Sequence, residues 1–453
     1  MGDAGGRGGA ALTATRRPDA RPAPPTAARA LFVAPAAARS GGWGGLALAT
    51  AAAVAGAALQ LLRQPGAGAL DSVWAEDGTV FLSEALRQGP LTALTTSYAG
   101  YYHAVPRLLG GIAALVPADA AAAVLAVEAA LAVALLAVLV YVASAAHLAA
   151  PLSRVLVSAA ILVVPVGQAE VLNSIANFHW YGLYALFWVL IWTPRTRSGR
   201  AVAVVVTILV VASDILSVVF VPLVLWRAFR PADGPRRDRH GVVLAGALAL
   251  GVAVHLAGLL TGSSGRQLSP DPVRAVASYL LRAVPAPLVG ERWLGGEIDA
   301  RWLVLAAVAW LAVGAVVLLA FARLTGPAWP LAIAAALHGA ALYILPVFLS
   351  GTAAPRYAVA PALLVVTALV ALLQPAGGTR ARKAPLYALA VVLALVAAVN
   401  FRVGNPRADG PSWREEVTHA RATCAPGATA LIPVAPRDET PPWLARIPCG
   451  RLT

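Results

Sequence analysis

The sequence predicts an all-α polytopic membrane protein with about eleven transmembrane helices, interfacial helices in its external loops and a small external C-terminal cap. Three observations carry this. First, hydrophobic residues make up 59% of the chain and charged residues 12%, against about 25% charged in a soluble domain. That much apolar surface cannot be hidden in one compact core, so soluble enzymes, coiled coils and disordered chains are excluded. Second, the apolar residues fall into runs long enough to cross a bilayer. Third, the basic residues behind the net charge of +14 sit in short clusters between those runs. That is the pattern of topology signals and not of a nucleic-acid surface, so no nucleic-acid partner is expected.

Residues 1–42 are Gly, Ala, Pro and Arg without an apolar period and read as a disordered basic arm. The first span runs from Trp43 to Arg63, about 21 residues or roughly 31 Å. The arginines ahead of it place the N-terminus in the cytoplasm. Further apolar runs lie near 120–146, 152–167, 179–193, 200–229, 241–261, 302–321, 328–349, 356–374 and 385–403. Three basic clusters should be cytoplasmic: Arg195, Arg197 and Arg200; Arg227, Arg230, Arg236, Arg237 and Arg239; and Arg380, Arg382 and Lys383.

The run 200–229 therefore has cytoplasmic charge on both flanks, which a single crossing cannot have. It reads as a hairpin turning at Ser213-Asp214, with arms of about 14 residues, roughly 21 Å each, accommodated by local thinning or by burial in the bundle. The segment 104–117 is too short to span and reads as an interfacial helix. The expected domain 43–403 then has external loops at 64–119 and 262–301, in a plasma (inner) membrane protein whose C-terminus is extracytoplasmic. In the second loop Val273, Val276, Ala277, Leu280, Leu281 and Val284 follow helical spacing, predicting an amphipathic surface helix. The tail, 404–453, holds Cys424 and Cys449, and an oxidising exterior favours a disulfide between them over two free thiols.

Candidate chemistry gathers in the external pieces. Glu76 and Asp77 are adjacent acids just beyond the first span. A carboxylate there can take a proton from an acceptor hydroxyl; equally, Asp77 can cap the stretch Gly78–Leu86. The segment Tyr98–Arg107 brings together Tyr102, His103 and Arg107, either as an aromatic belt or, for Arg107, as the partner of an anionic headgroup. Glu170, Asn173 and Asn177, spaced i, i+3, i+7, would share one helical face and with His179 would make a polar cluster, satisfied by one another or by a sugar. Asp214 lies at the hairpin turn and Glu128 within a span, where acids are functional candidates; His255 and His338 read as core residues. Arg356, followed by Tyr357, sits at a helix start, poorly placed for the helix dipole, and so calls for an anionic partner such as a lipid phosphate. Walker A, HExxH, CxxC and GxGxxG patterns are absent from the sequence, so a sugar donor would have to come from the lipid.

An acidic pair in the first external loop, interfacial helices in that loop, many spans, and a late Pro355-Arg356-Tyr357…Pro361 entering a span together resemble the GT-C superfamily of integral membrane glycosyltransferases, which includes protein mannosyltransferases and aminoarabinose transferases. The likeness covers about 40–453 and suits a bacterial member of no identified subfamily. It implies a polyprenyl-phosphate sugar donor, an extracytoplasmic site, a catalytic base at Asp77 or Glu76, a donor-phosphate contact from Arg356, and a sugar and acceptor pocket lined by the cluster Glu170, Asn173, Asn177 and His179; the reading of the residues themselves adds Arg107 at the donor phosphate and Tyr102, His103, Asp214 and Tyr357 at the substrate. The Glu-Asp order departs from the family's Asp-Glu and leaves open which acid is the base. No metal ligands are assigned, although divalent-ion dependence is compatible with the chemistry. The partners implied are the lipid-linked donor, a cell-envelope glycan or lipid acceptor, and the bilayer. The rival readings are a flippase or transporter of lipid-linked sugars and a non-catalytic scaffold for envelope assembly.

Overall fold

The computed structural model describes residues 2, 31–33, 43–229, 238–261, 268–294, 298–377 and 379–452. The expected basic arm, apart from Gly2 and residues 31–33, lies outside the described residues, as do Arg230, Arg236 and Arg237 and parts of the 262–301 loop. The helices are α1 (Trp43–Leu62), α2 (Ser83–Gln88), α3 (Ala104–Ala113), α4 (Ala121–Ala143), α5 (Pro151–Val163), α6 (Phe178–Ile191), α7 (Arg197–Val211), α8 (Val221–Phe229), α9 (Arg239–Thr261), α10 (Pro272–Ser278), α11 (Ala300–Phe321), α12 (Trp329–Ser350), α13 (Val359–Leu372), α14 (Arg380–Val399) and α15 (Trp413–Thr423). Short turns join them. One antiparallel ribbon, β1 (Thr429–Pro433) with β2 (Leu444–Pro448), pairs Thr429 with Pro448 through Pro433 with Leu444.

Among the described residues, seven helical segments are long and apolar enough to cross a membrane: 44–62, 118–146, 239–260, 300–321, 329–350, 355–372 and 380–399. The other predicted spans are shorter. α5 has 13 residues and α6 has 14, so neither reaches the roughly 30 Å of a hydrocarbon core at 1.5 Å per residue. α6 tolerates this because protein surrounds it. Every residue from Trp180 to Ile191 is buried, as expected of a helix that is apolar on all sides. α13 is buried almost as completely. The two helices share the main core, and the Tyr184 hydroxyl oxygen lies 3.0 Å from Thr367 Oγ1 of α13 while donating to the Val157 carbonyl of α5 (2.8 Å).

The 200–229 run folds back on itself at Ala212–Asp214. At the open end, the buried Arg227 guanidinium donates to the Trp192 carbonyl (2.9 Å) and pairs with Asp238 (3.0 Å). That brings the end of α8, the approach to α7 and the start of α9 together. At the turn, His255 Nε2 of α9 meets the Val211 carbonyl at 2.6 Å. The arms thus run along α9 and back, the geometry that the charge parity predicts. α3 docks onto the turn, with Ala104 N–H donating to the Ala212 carbonyl and Val105 N–H to Ser213 Oγ. In the 268–294 segment, Val273, Val276 and Leu280 are exposed, while Ala275, Ser278, Ala283 and Val284 pack inward. The predicted stripe is therefore divided: Val273, Val276 and Leu280 face away from the protein, Ala277 and Leu281 are half-buried, and Val284 is buried.

The tail folds against the first loop. Ala75 N–H donates to the Ala435 carbonyl (2.7 Å), and Ala435 N–H to Val73 (3.0 Å). Trp413 Nε1 donates to the Ala118 carbonyl (2.7 Å) and Ser412 Oγ to Asp71 (2.7 Å). Val434, Ala445 and Ile447 share a core with Val73, Phe81 and Leu125. Cys424 and Cys449 are joined in a disulfide across 25 residues, their Cα atoms 5.7 Å apart. A loop of that length should contribute about 3 kcal/mol. The double replacement Cys424→Ser and Cys449→Ser is expected to raise hydrogen exchange across 413–452 accordingly; exchange unchanged from wild type would contradict this.

Candidate functional site

A cavity of about 470 Å³ draws its polar lining chiefly from the first loop, the turn into α6, the hairpin turn and the approach to α13, with Leu259, Leu268 and the end of α12 adding to its wall. The first loop enters through a π-helical segment, Asp77–Leu82, a geometry frequent at functional sites. Here it splits the acidic pair. Glu76 lines the cavity, and its Oε2 has no hydrogen-bond partner. Burial pushes the Glu76 carboxyl above its ordinary value of 4.5, with Arg356 pulling the other way. A carboxyl raised in this way is a stronger base than an ordinary one.

Asp77 points elsewhere and does not line the cavity. It accepts from Ser174 Oγ (3.1 Å), Ile175 N–H (3.2 Å) and Ala176 N–H (2.8 Å). Burial pushes Asp77 up to about 7, opposed by Arg407 and the Ala176 N–H. Its oxygens are occupied, so it holds a turn in place. Nor does it cap Gly78–Leu86, since the N–H groups it satisfies belong to a different loop. Arg407 fixes the other edge of that turn. The buried guanidinium donates to the carbonyls of Leu172 (2.6 Å), Asn173 (3.3 Å) and Ser72 (3.0 Å), and to Ser72 Oγ (3.1 Å). Burial brings Arg407 down to about 10, with the Asp77 charge resisting.

The clamped turn alters the expected helical cluster. Residues 168–171 form a single turn, Asn173 takes φ +53°, and α6 starts only at Phe178. Glu170, Asn173 and Asn177 therefore do not share a helical face. Asn173 faces away and donates to the Gln60 carbonyl (3.1 Å). Glu170, Asn177 and His179 do line the cavity, and Asn177 Nδ2 donates to the Glu170 carbonyl (3.0 Å). Gly167 permits this packing. Its φ is +70°, and a Cβ there would stand 2.9 Å from Val359 Cγ2 and 3.3 Å from Arg356 Cα, so only glycine sits there without strain.

Arg356 donates to the Glu170 carboxylate and lies 5.2 Å from the Tyr357 ring centroid. Its side chain keeps 37% exposure, so part of the guanidinium is free for another anion. His179 Nδ1 meets Asp214 Oδ2 at 2.5 Å, and Asp214 Oδ1 accepts from Leu216 N–H (2.8 Å). The hairpin turn thus orients an imidazole into the cavity. His103 stacks on Tyr101, their centroids 4.3 Å apart. Burial lowers its pKa to about 3, helped by the His179 and Arg107 charges, so it serves as a neutral hydrogen-bonding group.

Two further expectations need correction. Arg107 is 1% exposed, is paired with Glu84 and lies beside the Phe81 ring; it does not line the cavity and is not free for a donor phosphate. Tyr102 does not line the cavity, whereas Tyr101 does; both rings lie near His255, with centroids 6.0 Å away for Tyr101 and 6.5 Å for Tyr102. Tyr98, Trp180 and Tyr357 complete the aromatic wall. Glu128 is half-buried in α4 with Oε2 unbonded and does not line the cavity. Among the described residues no group of three or more His, Cys, Asp or Glu side chains is placed to hold a metal ion.

No protein-family model matches the chain, and no curated protein matches it by sequence. Among solved structures it is similar to the Archaeoglobus fulgidus oligosaccharyltransferase tethered with an acceptor peptide containing the NVT sequon (TM-score 0.42, 13% identity, 85% of this chain and 58% of that one). It is also similar to the same enzyme in complex with Zn and sulfate (TM-score 0.38, 15% identity, 83% and 55%). The chain thus spans little more than half the length of those structures.

Proposed function

We propose that the protein is a membrane glycosyltransferase of GT-C type, moving a sugar from a polyprenyl-phosphate donor to a cell-envelope acceptor on the extracytoplasmic side. The observation that carries this reading is the meeting in one cavity of Glu76, one of whose carboxylate oxygens has no hydrogen-bond partner, with a partly exposed guanidinium, Arg356, and the oriented His179–Asp214 pair. The acceptor hydroxyl gives its proton to Glu76 as its oxygen attacks the anomeric carbon. The bond from that carbon to the phosphate oxygen breaks, and the leaving phosphate takes the bonding pair and is stabilised by Arg356. A single displacement inverts the anomeric centre. The aromatic wall and the His179–Asp214 pair hold the sugar ring.

A flippase of lipid-linked sugars needs polar side chains along a path through the bundle. The two most enclosed helices, α6 and α13, present an almost wholly apolar environment instead, which favours transfer over passage.

Two outcomes follow. Arg356→Gln should lower kcat/KM for the lipid-linked donor at least tenfold with kcat falling as well, because the guanidinium stabilises the phosphate as it leaves; an unchanged kcat/KM would contradict the assigned contact. Because Glu76 must be ionised to accept a proton, activity should fall as pH drops through its raised pKa. The acidic limb of kcat/KM should therefore lie above the ordinary carboxylate value of 4.5, and a limb at or below it would exclude Glu76 as the titrating base.

A further inference from the structure

A second cavity, of about 920 Å³, adjoins the first and shares Glu76, Glu170 and Arg356 with it. Its remaining wall comes largely from the tail: Asn405, Asp409, Arg437, Asp438, Glu439 and Trp443, opposite Trp74. The three charged residues therefore stand at a neck between an aromatic chamber and a tail-built one. We propose that the tail-side chamber is the acceptor subsite and takes a glycan chain free of anionic groups. This inference rests on the transferase reading above.

Three features of the chamber point to that ligand. Trp443 is half-buried and packs by Trp74 and Ala435, and its Nε1 donates to Glu439 Oε2 at 2.5 Å. An indole anchored in this way presents apolar area suited to the C–H face of a sugar ring at little entropic cost. Asp409 and Asp438 make no hydrogen bond or ion pair with any described residue, so their oxygens are open to hydroxyl donors. The charged wall holds five carboxyl groups, from Glu76, Glu170, Asp409, Asp438 and Glu439, against the guanidinium groups of Arg356 and Arg437. Glu170 already engages Arg356, so the field that an incoming chain meets is negative. It repels phosphate- or carboxylate-bearing chains. The neck then delivers the chain's terminal hydroxyl to the Glu76 carboxylate.

The test is binding of the full-length protein in nanodiscs to an array of neutral, amine-bearing and acidic oligosaccharides together with basic peptides, using the Glu76→Gln variant so that no transfer occurs. Retention is expected only on glycans without anionic groups, with at least a tenfold loss on Trp443→Ala. Asp409→Asn with Asp438→Asn, both solvent-facing, should leave folding intact and relax rejection of acidic chains at least fivefold. Preferential retention of acidic glycans or basic peptides, retention on nothing, or indifference to both sets of substitutions would each overturn the proposal. Because the array needs no turnover, a negative result leaves the transferase reading standing. That reading fails separately if wild type and Glu76→Gln transfer sugar equally.

Discussion

Glu76→Gln should abolish sugar transfer while leaving the protein folded. The amide matches the carboxyl in shape but accepts no proton, so the loss should be roughly 10²–10⁴-fold in kcat, the usual scale for removing a positioned general base. No hydrogen bond to Glu76 Oε2 is lost, since it has none, and the melting temperature should stay within about a degree of wild type. Asp77→Asn should behave differently. Its oxygens accept from Ser174, Ile175 and Ala176, and an amide nitrogen facing those donors leaves one of them unsatisfied, at about 1–3 kcal/mol. That variant should melt earlier and lose activity only as far as the 174–177 turn is displaced. Initial rates in membrane vesicles and thermal unfolding in detergent separate the two. Equal loss of activity from both, with equal stability, would contradict the division of labour between these neighbours.

Arg407→Ala should be the most destabilising substitution of a polar residue in the tail, at about 3–5 kcal/mol. It withdraws a buried cation from a buried carboxylate and strips four oxygen acceptors on Ser72, Leu172 and Asn173 of their donor. Arg407→Lys should recover only part of this, because an ammonium cannot span those acceptors as the planar guanidinium does. Hydrogen exchange should rise together in 71–77, 172–177 and 404–452, since one side chain ties all three. Exchange rising in the tail alone would show that the tail does not organise the turn carrying Asn177.

The sequence made the apolar runs plain, because lipid imposes their length and charge marks their ends. The break at Ser213-Asp214 was likewise legible from arginines on both flanks of one run. Within the site, legibility stopped at residue types. Consecutive residues point in different directions, so Glu76 and Asp77 looked equivalent until the π-helical turn sent one to the cavity and the other to the 174–176 backbone. The i, i+3, i+7 spacing of Glu170, Asn173 and Asn177 assumed a continuous helix, which the positive φ of Asn173 interrupts. Arg107 resembled a phosphate ligand because nothing local shows that Glu84 reaches it. Arg407 and Trp443 carried no signal at all, since their importance arises from a tail that packs on a loop more than three hundred residues earlier.

The central claim is that Glu76 faces the place where a lipid-linked sugar is transferred. It is tested most directly by mass spectrometry of lipid-linked sugars and envelope glycans from cells carrying either the wild-type protein or Glu76→Gln as their only copy. The variant should lack one glycan modification and accumulate the corresponding polyprenyl-phosphate sugar; identical profiles from the two strains would contradict the account.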